Sequence, residues 1–286
     1  MGIGSNLTVE ATINPDFGQI EADPAEVNLT VFETTFAERR PFFLEGNNVL
    51  VAGTSNYYYS RRIGARPTIP TSAPYVDYPD VNTILGAAKL TGRFRNGLSI
   101  GFLGAVTSEE TARQADLQGA RSELSVAPLT EWGVSRAIKQ FGTQGSTVGA
   151  HMTLVHREMD EGSPMAQLLV RNALTTGVDT RIRFKDRTYE ASGHVGLTFL
   201  SGDPAAVARV QRSSGHYLQR LDQPEIRYDP TRTDLNGAQV VGNLSKIGGR
   251  HWLWTNSIMI ESPEFDREAY NRKLTSIGLR ELVVPE

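Results

Sequence analysis

The chain has 286 residues, of which 39% are hydrophobic; its formal net charge is −3 and it contains no cysteine. The mean hydropathy of −0.30, and the lack of any apolar run near the ~20 residues of a spanning helix, exclude a bundle of membrane helices. The near-neutral charge argues against nucleic acid as a partner, and the lack of cysteine excludes disulfides and thiolate metal sites.

The N-terminal part alternates apolar and polar side chains in two places. Residues 7–13 and 27–31 follow this period of two, which predicts two β-strands joined by the turn-rich loop NPDFGQIEADP. Residues 57–62 predict a third strand, and the prolines within residues 65–80 predict a loop. The first residues, MGIGSNLTVEATIN, show no basic or apolar signal region, so we expect any signal peptide to lie upstream.

From residue 83 onward, amphipathic segments of roughly ten residues come in pairs joined by short turns. The predicted hairpins cover residues 83–107, 132–157, 177–200 and 236–261. Asn96-Gly97 lies between the first two strands and predicts a type I′ turn, in which both central residues have positive φ.

Two stretches interrupt this series. Residues 108–128 are polar without a clear alternation, which predicts a long loop. The run SGDPAAVARVQRSS predicts a short surface helix with Asp203 as N-cap and Pro204 at the first helical position.

Strand length favours a membrane wall. Soluble sandwiches use strands of ~5–6 residues, whereas a strand that crosses a bilayer needs ~9–11. Apolar side chains occupy every second position of residues 148–154 and 189–199. The sequence therefore predicts an all-β fold, an antiparallel outer-membrane-type β-barrel or part of one, with about ten strands. Aromatic residues near the strand ends fit interfacial girdles: Trp132, Phe141, Phe184, Tyr189, Phe199, Trp252 and Trp254.

Several runs resemble a known family. INPDFGQIEADPAEVNLTVFETTFAERRPFFLEG, YYSRRIG, AAKLTGR, SGDPAAVARVQRSSGHYLQR and IGGRHW are similar to signatures of the bacterial domain of unknown function 5916. Members of that family resemble outer-membrane β-barrels that follow a periplasmic domain similar to family-9 carbohydrate-binding modules. The resemblance implies a place in the bacterial outer membrane, the lipid bilayer as a partner, and a link to glycans or to an upstream periplasmic domain.

The chain is interpreted as a single barrel domain over residues 1–286, in four parts. These are charged N-terminal strands and a loop (1–64), a proline-rich loop (65–82), the hairpin series (83–262) and a tail outside the barrel (263–286). The tail loses the strand alternation, whereas the family barrel continues for further strands. We therefore expect a fragment or a shortened relative.

Charged side chains of both signs cluster near the N-terminus. As a group they predict a charge cluster that lines the lumen, either as a selectivity element or as a structural salt-bridge network: Glu33, Glu38, Arg39, Arg40, Glu45, Arg61 and Arg62. Asp16, Glu21 and Asp23 share one acidic loop and form a candidate calcium site, although their spacing fits a solvated turn better.

No catalytic residues and no cofactor are predicted. The G-x-S-x-G pattern at residues 97–101 lies in a hairpin rather than in a strand–elbow–helix, and the histidines lack metal-site spacing. His151 and His194 fall on the polar strand face and are expected to face the lumen. The leading hypothesis is a non-enzymatic barrel for passage, docking or surface display. The alternatives are an envelope carbohydrate-processing hydrolase, with Glu33 or Glu45 near Arg39, and a soluble β-sandwich binding module.

Overall fold

The computed structural model describes residues 6–15, 36–51, 57–213, 216, 218, 227–249 and 252–265. Their fold is all-β. The strands are β1 (Leu7–Ile13), β2 (Tyr75–Asp77), β3 (Ile84–Arg93), β4 (Leu98–Thr107), β5 (Glu110–Ala115), β6 (Arg121–Ala127), β7 (Thr130–Phe141), β8 (Ser146–Arg157), β9 (Asn172–Phe184), β10 (Tyr189–Ser201), β11 (Asp234–Lys246) and β12 (Trp254–Glu261). The helices are α1 (Pro41–Leu44), α2 (Asn47–Leu50), α3 (Pro164–Leu168), α4 (Pro204–Arg212) and a 3₁₀ turn at Ser60–Arg62.

Nine strands form one antiparallel sheet in the order β1-β3-β4-β7-β8-β9-β10-β11-β12. The predicted antiparallel all-β architecture and its four hairpins are confirmed, because each strand of this sheet pairs with the next one along the chain. β1 and β12 lie at opposite edges of the sheet. Within the described residues these two edges do not pair with each other, so the sheet is open there and the predicted closure of a barrel is not observed.

The connections at the two ends of this sheet differ in length. Turns of four to seven residues join β3 to β4, β7 to β8, β9 to β10 and β11 to β12. At the opposite end, longer connections join β4 to β7, β8 to β9 and β10 to β11. We call these the short-turn end and the long-connection end.

The turn at Asn96-Gly97 differs from the prediction. Gly97 has a φ of +84°, but Asn96 is not among the residues with positive φ. The Gly97 amide donates to the carbonyl of Phe94 and the Phe94 amide donates to that of Leu98. This is the three-residue hairpin loop that ends in a left-handed glycine, rather than a type I′ turn.

The prediction of a long loop at residues 108–128 is wrong. β5 and β6 form a hairpin there, and β2, inside the predicted proline-rich loop, pairs with β5 to make a second, three-stranded sheet. Only a few small or aliphatic side chains of this sheet are buried, including Ala112 and Val126. The alternation was missed because the other residues of these strands are polar on both faces.

The prediction of a third strand at residues 57–62 is also wrong. Residues 57–59 are irregular and Ser60–Arg62 is a 3₁₀ turn. The backbone carbonyls of Ser60 and Ile63 accept hydrogen bonds from the Arg40 side chain instead of from a neighbouring strand. A side chain has thus replaced strand pairing in this segment. The predicted strand at 27–31 lies outside the described residues.

Helix α4 begins as predicted, with Asp203 accepting a hydrogen bond from the Ala205 amide and Pro204 at the first position. It is not a surface helix, however, since Ala206, Val207 and Val210 are each about fully buried in the main core. Among the described residues, no helix is both long and apolar enough to cross a membrane.

The nine-stranded sheet has its apolar face exposed and its polar face buried. In β8, Val148, Met152 and Leu154 are exposed, whereas His151 and Thr153 are buried. β10 repeats this, with Val195, Leu197 and Phe199 exposed and His194 and Thr198 buried. We call the exposed side the outer face and the buried side the inner face. The usual burial order of a water-soluble protein is inverted here.

Residues 36–51 and 57–64 cover the inner face, and we call them together the inner segment. With helix α4 they enclose an apolar core beside the long-connection end, whose buried members include Phe43, Leu50, Ile63, Leu103, Val134, Val155, Leu200, Val207 and Leu235. Towards the short-turn end, the side chains of the inner face become polar.

Candidate functional site on the inner face

The polar part of the inner face contains one compact group of side chains. Its members, which we call the inner cluster, come from the inner segment and from five strands: Tyr57, Arg136, His151, Asp179, His194 and Gln239. The strand register explains the grouping. His151 pairs with both Arg136 and Gly177, while Asp179 pairs with His194 and Gly149. The inner-face alternation therefore brings these side chains into two adjacent rows.

The two histidines and Tyr57 form a stack. The ring centroid of Tyr57 lies 4.7 Å from that of His151 and 5.2 Å from that of His194, and the two imidazoles are 5.5 Å apart. The Tyr57 hydroxyl lies 3.4 Å from His194 Nδ1 and donates to Gln239 Oε1 at 3.4 Å. Gln239 in turn donates to Glu261. The stack joins the inner segment to the nine-stranded sheet, and both histidines are buried on its inner face.

Gly196 makes the approach of Tyr57 possible. A Cβ atom at this position would lie 2.7 Å from the Tyr57 hydroxyl oxygen and 2.8 Å from His194 Cε1. We expect Gly196→Ala to reduce the free energy of unfolding by about 1–3 kcal/mol, because the stack must shift to make room. Chemical denaturation of the folded protein measures this change.

The matched control is Gly133→Ala, where the nearest atom to the new Cβ is that of Leu154 at an ordinary 3.6 Å. Equal losses of stability in the two variants would contradict the close packing of Tyr57 against β10.

Arg136 and Asp179 form a buried ion pair next to the histidines. Arg136 Nη2 donates to both carboxylate oxygens of Asp179, at 2.6 and 3.0 Å. The Arg136 side chain is 3% exposed and that of Asp179 is 12% exposed. Sequence reasoning missed this pair. The available signal was a charged residue at an inner-face position of each strand.

The predicted charge cluster is in part a structural network. Glu38 accepts hydrogen bonds from Arg40 Nε at 2.9 Å, from Arg40 Nη2 at 2.8 Å and from the Ser60 hydroxyl at 2.5 Å. Arg40 also donates to the carbonyls of Ile63 and Ser60, and its guanidinium lies 4.1 Å from the Phe43 ring centroid. Glu38 and Arg40 therefore hold the two halves of the inner segment together.

The other described members of the predicted cluster have different surroundings. Arg39 and Glu45 are exposed. Arg61 donates to the carbonyl of Ala37, and the Arg62 guanidinium lies 5.4 Å from the ring centroid of Tyr59. Glu33, together with the candidate calcium ligands Asp16, Glu21 and Asp23, lies outside the described residues. Among the residues that are described, no three His, Asp or Glu side chains group as metal ligands.

Glu38 gives the inner segment a pH dependence. Burial works to raise the pKa of Glu38, but the hydrogen bonds and charge of Arg40 and the bond from Ser60 outweigh it and lower the pKa from 4.5 to about 2. A folded-state pKa below the unfolded value contributes stability that is present above the unfolded pKa and lost as pH falls through the folded one. We expect the stability of the inner segment to fall between pH 4.5 and about 2.

The measurement is the protease sensitivity of the inner segment as a function of pH, with an acid-stable protease. Glu38→Gln is expected to flatten the profile, and an unchanged profile in this variant would rule out Glu38 as its source.

Lys89 is a second anchor that sequence reasoning missed. Its ammonium donates to the carbonyls of Phe42 and Glu45, each at 2.5 Å, and pairs with Glu10 at 2.6 Å. The Lys89 side chain is buried, so these three oxygens replace its water shell. The sequence signal for this anchor was a lysine at an inner-face position of β3, within the run AAKLTGR.

The family model described as Domain of unknown function (DUF5916) matches residues 1–266. This covers the inner segment, both sheets and the inner cluster. No curated protein and no solved structure matches the chain significantly.

Proposed function

The chain belongs to the DUF5916 family, and from this premise we propose that its nine-stranded sheet is part of the wall of a bacterial outer-membrane β-barrel. The observation that carries the proposal is the inverted sheet, whose outer face is apolar and exposed. Large side chains on this face include Phe102, Val148, Met152, Val178, Ile182, Val195, Leu197, Phe199, Val240, Leu244, Ile258 and Ile260. Water-soluble monomers rarely expose an apolar surface of this extent, whereas lipid covers it at no cost.

Strand length and aromatic placement support the same proposal. β9, β10 and β11 have 13 residues each, which suffices for a strand tilted across a bilayer. At the short-turn end, Phe184, Tyr189 and Trp254 form a row on the outer face, with ring centroids 5.6 and 6.4 Å apart. Aromatic rows of this kind lie at the membrane–water interface of barrels.

The inner segment limits what such a wall can do. It is fixed to the inner face by Lys89, by the Tyr57 stack and by apolar contacts. We therefore place its role in docking or in gated passage rather than in free diffusion through an open pore. That the docked or transported molecule is a glycan is a proposal supported by the family resemblance alone.

The two alternatives lack a comparable observation. A soluble sandwich packs its apolar face against a second sheet, but the three-stranded sheet has its own small core of Ile69, Ala112 and Val126. A hydrolase needs two carboxylates at catalytic separation. Of the two candidates, Glu45 is exposed and Glu33 lies outside the described residues.

The first test compares folding in detergent with folding in plain buffer, read by heat-modifiable gel mobility and far-UV circular dichroism. We expect a heat-modifiable, β-rich species only in detergent. A stable, monomeric, β-rich protein in plain buffer would refute the membrane proposal.

Tryptophan quenching by brominated lipids adds a position-specific test. Trp254 belongs to the outer aromatic row, whereas Trp132 packs against the inner core and donates to Thr107 at 3.2 Å. In single-tryptophan variants folded in vesicles, we expect lipid to quench Trp254 and to leave Trp132 bright. Equal quenching would contradict the assignment of the two faces.

A further inference from the structure

A small cavity lies on the inner face next to the inner cluster. Its volume is about 220 Å³, and its lining comes from the end of α2 and from β7, β8 and β9: Asn48, Val51, Arg136, Ile138, Thr147, Asp179, Thr180 and Arg181. This volume is below the ~300–1,000 Å³ of pockets for drug-sized ligands. The cavity therefore suits a small molecule, not an oligomer.

The charges beside the cavity have a positive balance. Arg136 and Arg181 line it with one carboxylate, that of Asp179. Glu190, further along the inner face, is engaged mainly by Arg183, whose Nε donates to it at 2.9 Å, while Arg181 Nε stays 3.5 Å away. Three arginines thus face two carboxylates in this region, an excess of one positive charge.

Arg136 retains hydrogen-bonding capacity. Its Nη2 is used by Asp179, but within the described part of the chain its Nε and Nη1 are buried without a hydrogen-bond partner. Buried guanidinium donors without acceptors are costly and uncommon. Arg181 has a side chain that is 38% exposed, and within the described part of the chain its Nε is also buried without a hydrogen-bond partner, 3.5 Å from Glu190.

We propose that this cavity binds a small oxyanion, a carboxylate or phosphate group, between Arg136 and Arg181, with the Thr147 hydroxyl as an additional donor. Arginine forks match the paired oxygens of both groups. The site lies on the inner face, and it does not require the outer face to contact lipid. The anion-site proposal is therefore independent of the membrane proposal, and either can be wrong while the other is correct.

The test is isothermal titration of the folded full chain with inorganic phosphate and with glucuronate, at constant ionic strength, and with glucose as the neutral comparison. We expect saturable binding of one or both anions and none of glucose. Arg181→Gln should weaken the binding by about tenfold or more, the effect of losing a charge-assisted hydrogen bond. Thr147→Phe should abolish it by filling the cavity.

The matched control is Arg121→Gln, which removes an exposed arginine of β6 that does not line this cavity. This variant should bind the anions as the parent chain does. Far-UV circular dichroism and chemical denaturation establish that every variant is folded before titration. The proposal is overturned if neither anion binds the parent chain at millimolar concentration, or if Arg181→Gln and Arg121→Gln bind equally well.

Discussion

Replacing Val178 by arginine is expected to destabilise the folded protein in a bilayer by about 2–4 kcal/mol. Val178 is 53% exposed on the outer face, at the middle of β9, opposite Val195 of β10. If the outer face contacts lipid, a guanidinium there lies near the centre of the hydrocarbon layer. Equilibrium unfolding by guanidinium in phospholipid vesicles measures the loss.

Two comparisons make this prediction specific to a membrane. Val76→Arg changes an exposed valine of the three-stranded sheet, and the expected effect is within about 0.5 kcal/mol, as at an ordinary surface site. Phe184→Arg changes the aromatic row at the short-turn end, where the charge penalty near an interface falls to about 0–1 kcal/mol. Similar small losses for Val178→Arg and Val76→Arg would show that water, not lipid, covers the outer face.

Removing the charge of Glu38 is expected to destabilise the inner segment by about 3–5 kcal/mol. The Arg40 side chain is 1% exposed and pairs with Glu38 at 2.8 Å. In Glu38→Gln, the buried Arg40 guanidinium loses the carboxylate that accepts hydrogen bonds from its Nε and Nη2, and such a loss costs more than the ion pair contributes. Limited proteolysis between residues 36 and 64, together with chemical denaturation, reports the effect.

The double variant Glu38→Gln/Arg40→Met separates this mechanism from a simple loss of packing. Removing both charges should recover part of the stability that Glu38→Gln loses, because the buried guanidinium is removed together with its carboxylate. The control is Glu45→Gln, a change at an exposed carboxylate with an expected effect within about 0.5 kcal/mol. A loss in the double variant equal to the sum of the losses in the single variants Glu38→Gln and Arg40→Met would contradict a coupled pair.

The sequence predicted the strands of the nine-stranded sheet well because period-two alternation reports directly on the two faces of a sheet. The exposed Met152 and buried His151 follow from their positions in the pattern. The pattern failed where burial of one face is slight, as in β5 and β6. It also failed at residues 57–62, where side-chain bonds from Arg40 satisfy the backbone carbonyls.

The candidate site was less accessible to sequence reasoning because its contacts join distant parts of the chain. Tyr57 and His194 are 137 residues apart, and Arg136 and Asp179 are 43 residues apart. The contacts between these residues depend on strand register and on how the inner segment packs against the nine-stranded sheet. Glu38 and Arg40 were found because both partners lie within a few residues of each other.

The inner segment has a topological property that follows from where it leaves and rejoins the sheet. Ile13 and Gly86 are register partners, and the Asn14 amide donates to the carbonyl of Leu85 at 3.2 Å. The chain between them therefore leaves and rejoins the nine-stranded sheet at one place, at the long-connection end of the β1–β3 pair. The inner segment can therefore leave the inner face without separating any two strands of the nine-stranded sheet. β2, further along the same stretch, can keep its pairing with β5. The length of this connection is also weakly constrained, since doubling the length of a flexible loop costs only about 0.6 kcal/mol in closure entropy. Lengthening this connection should leave the nine-stranded sheet intact.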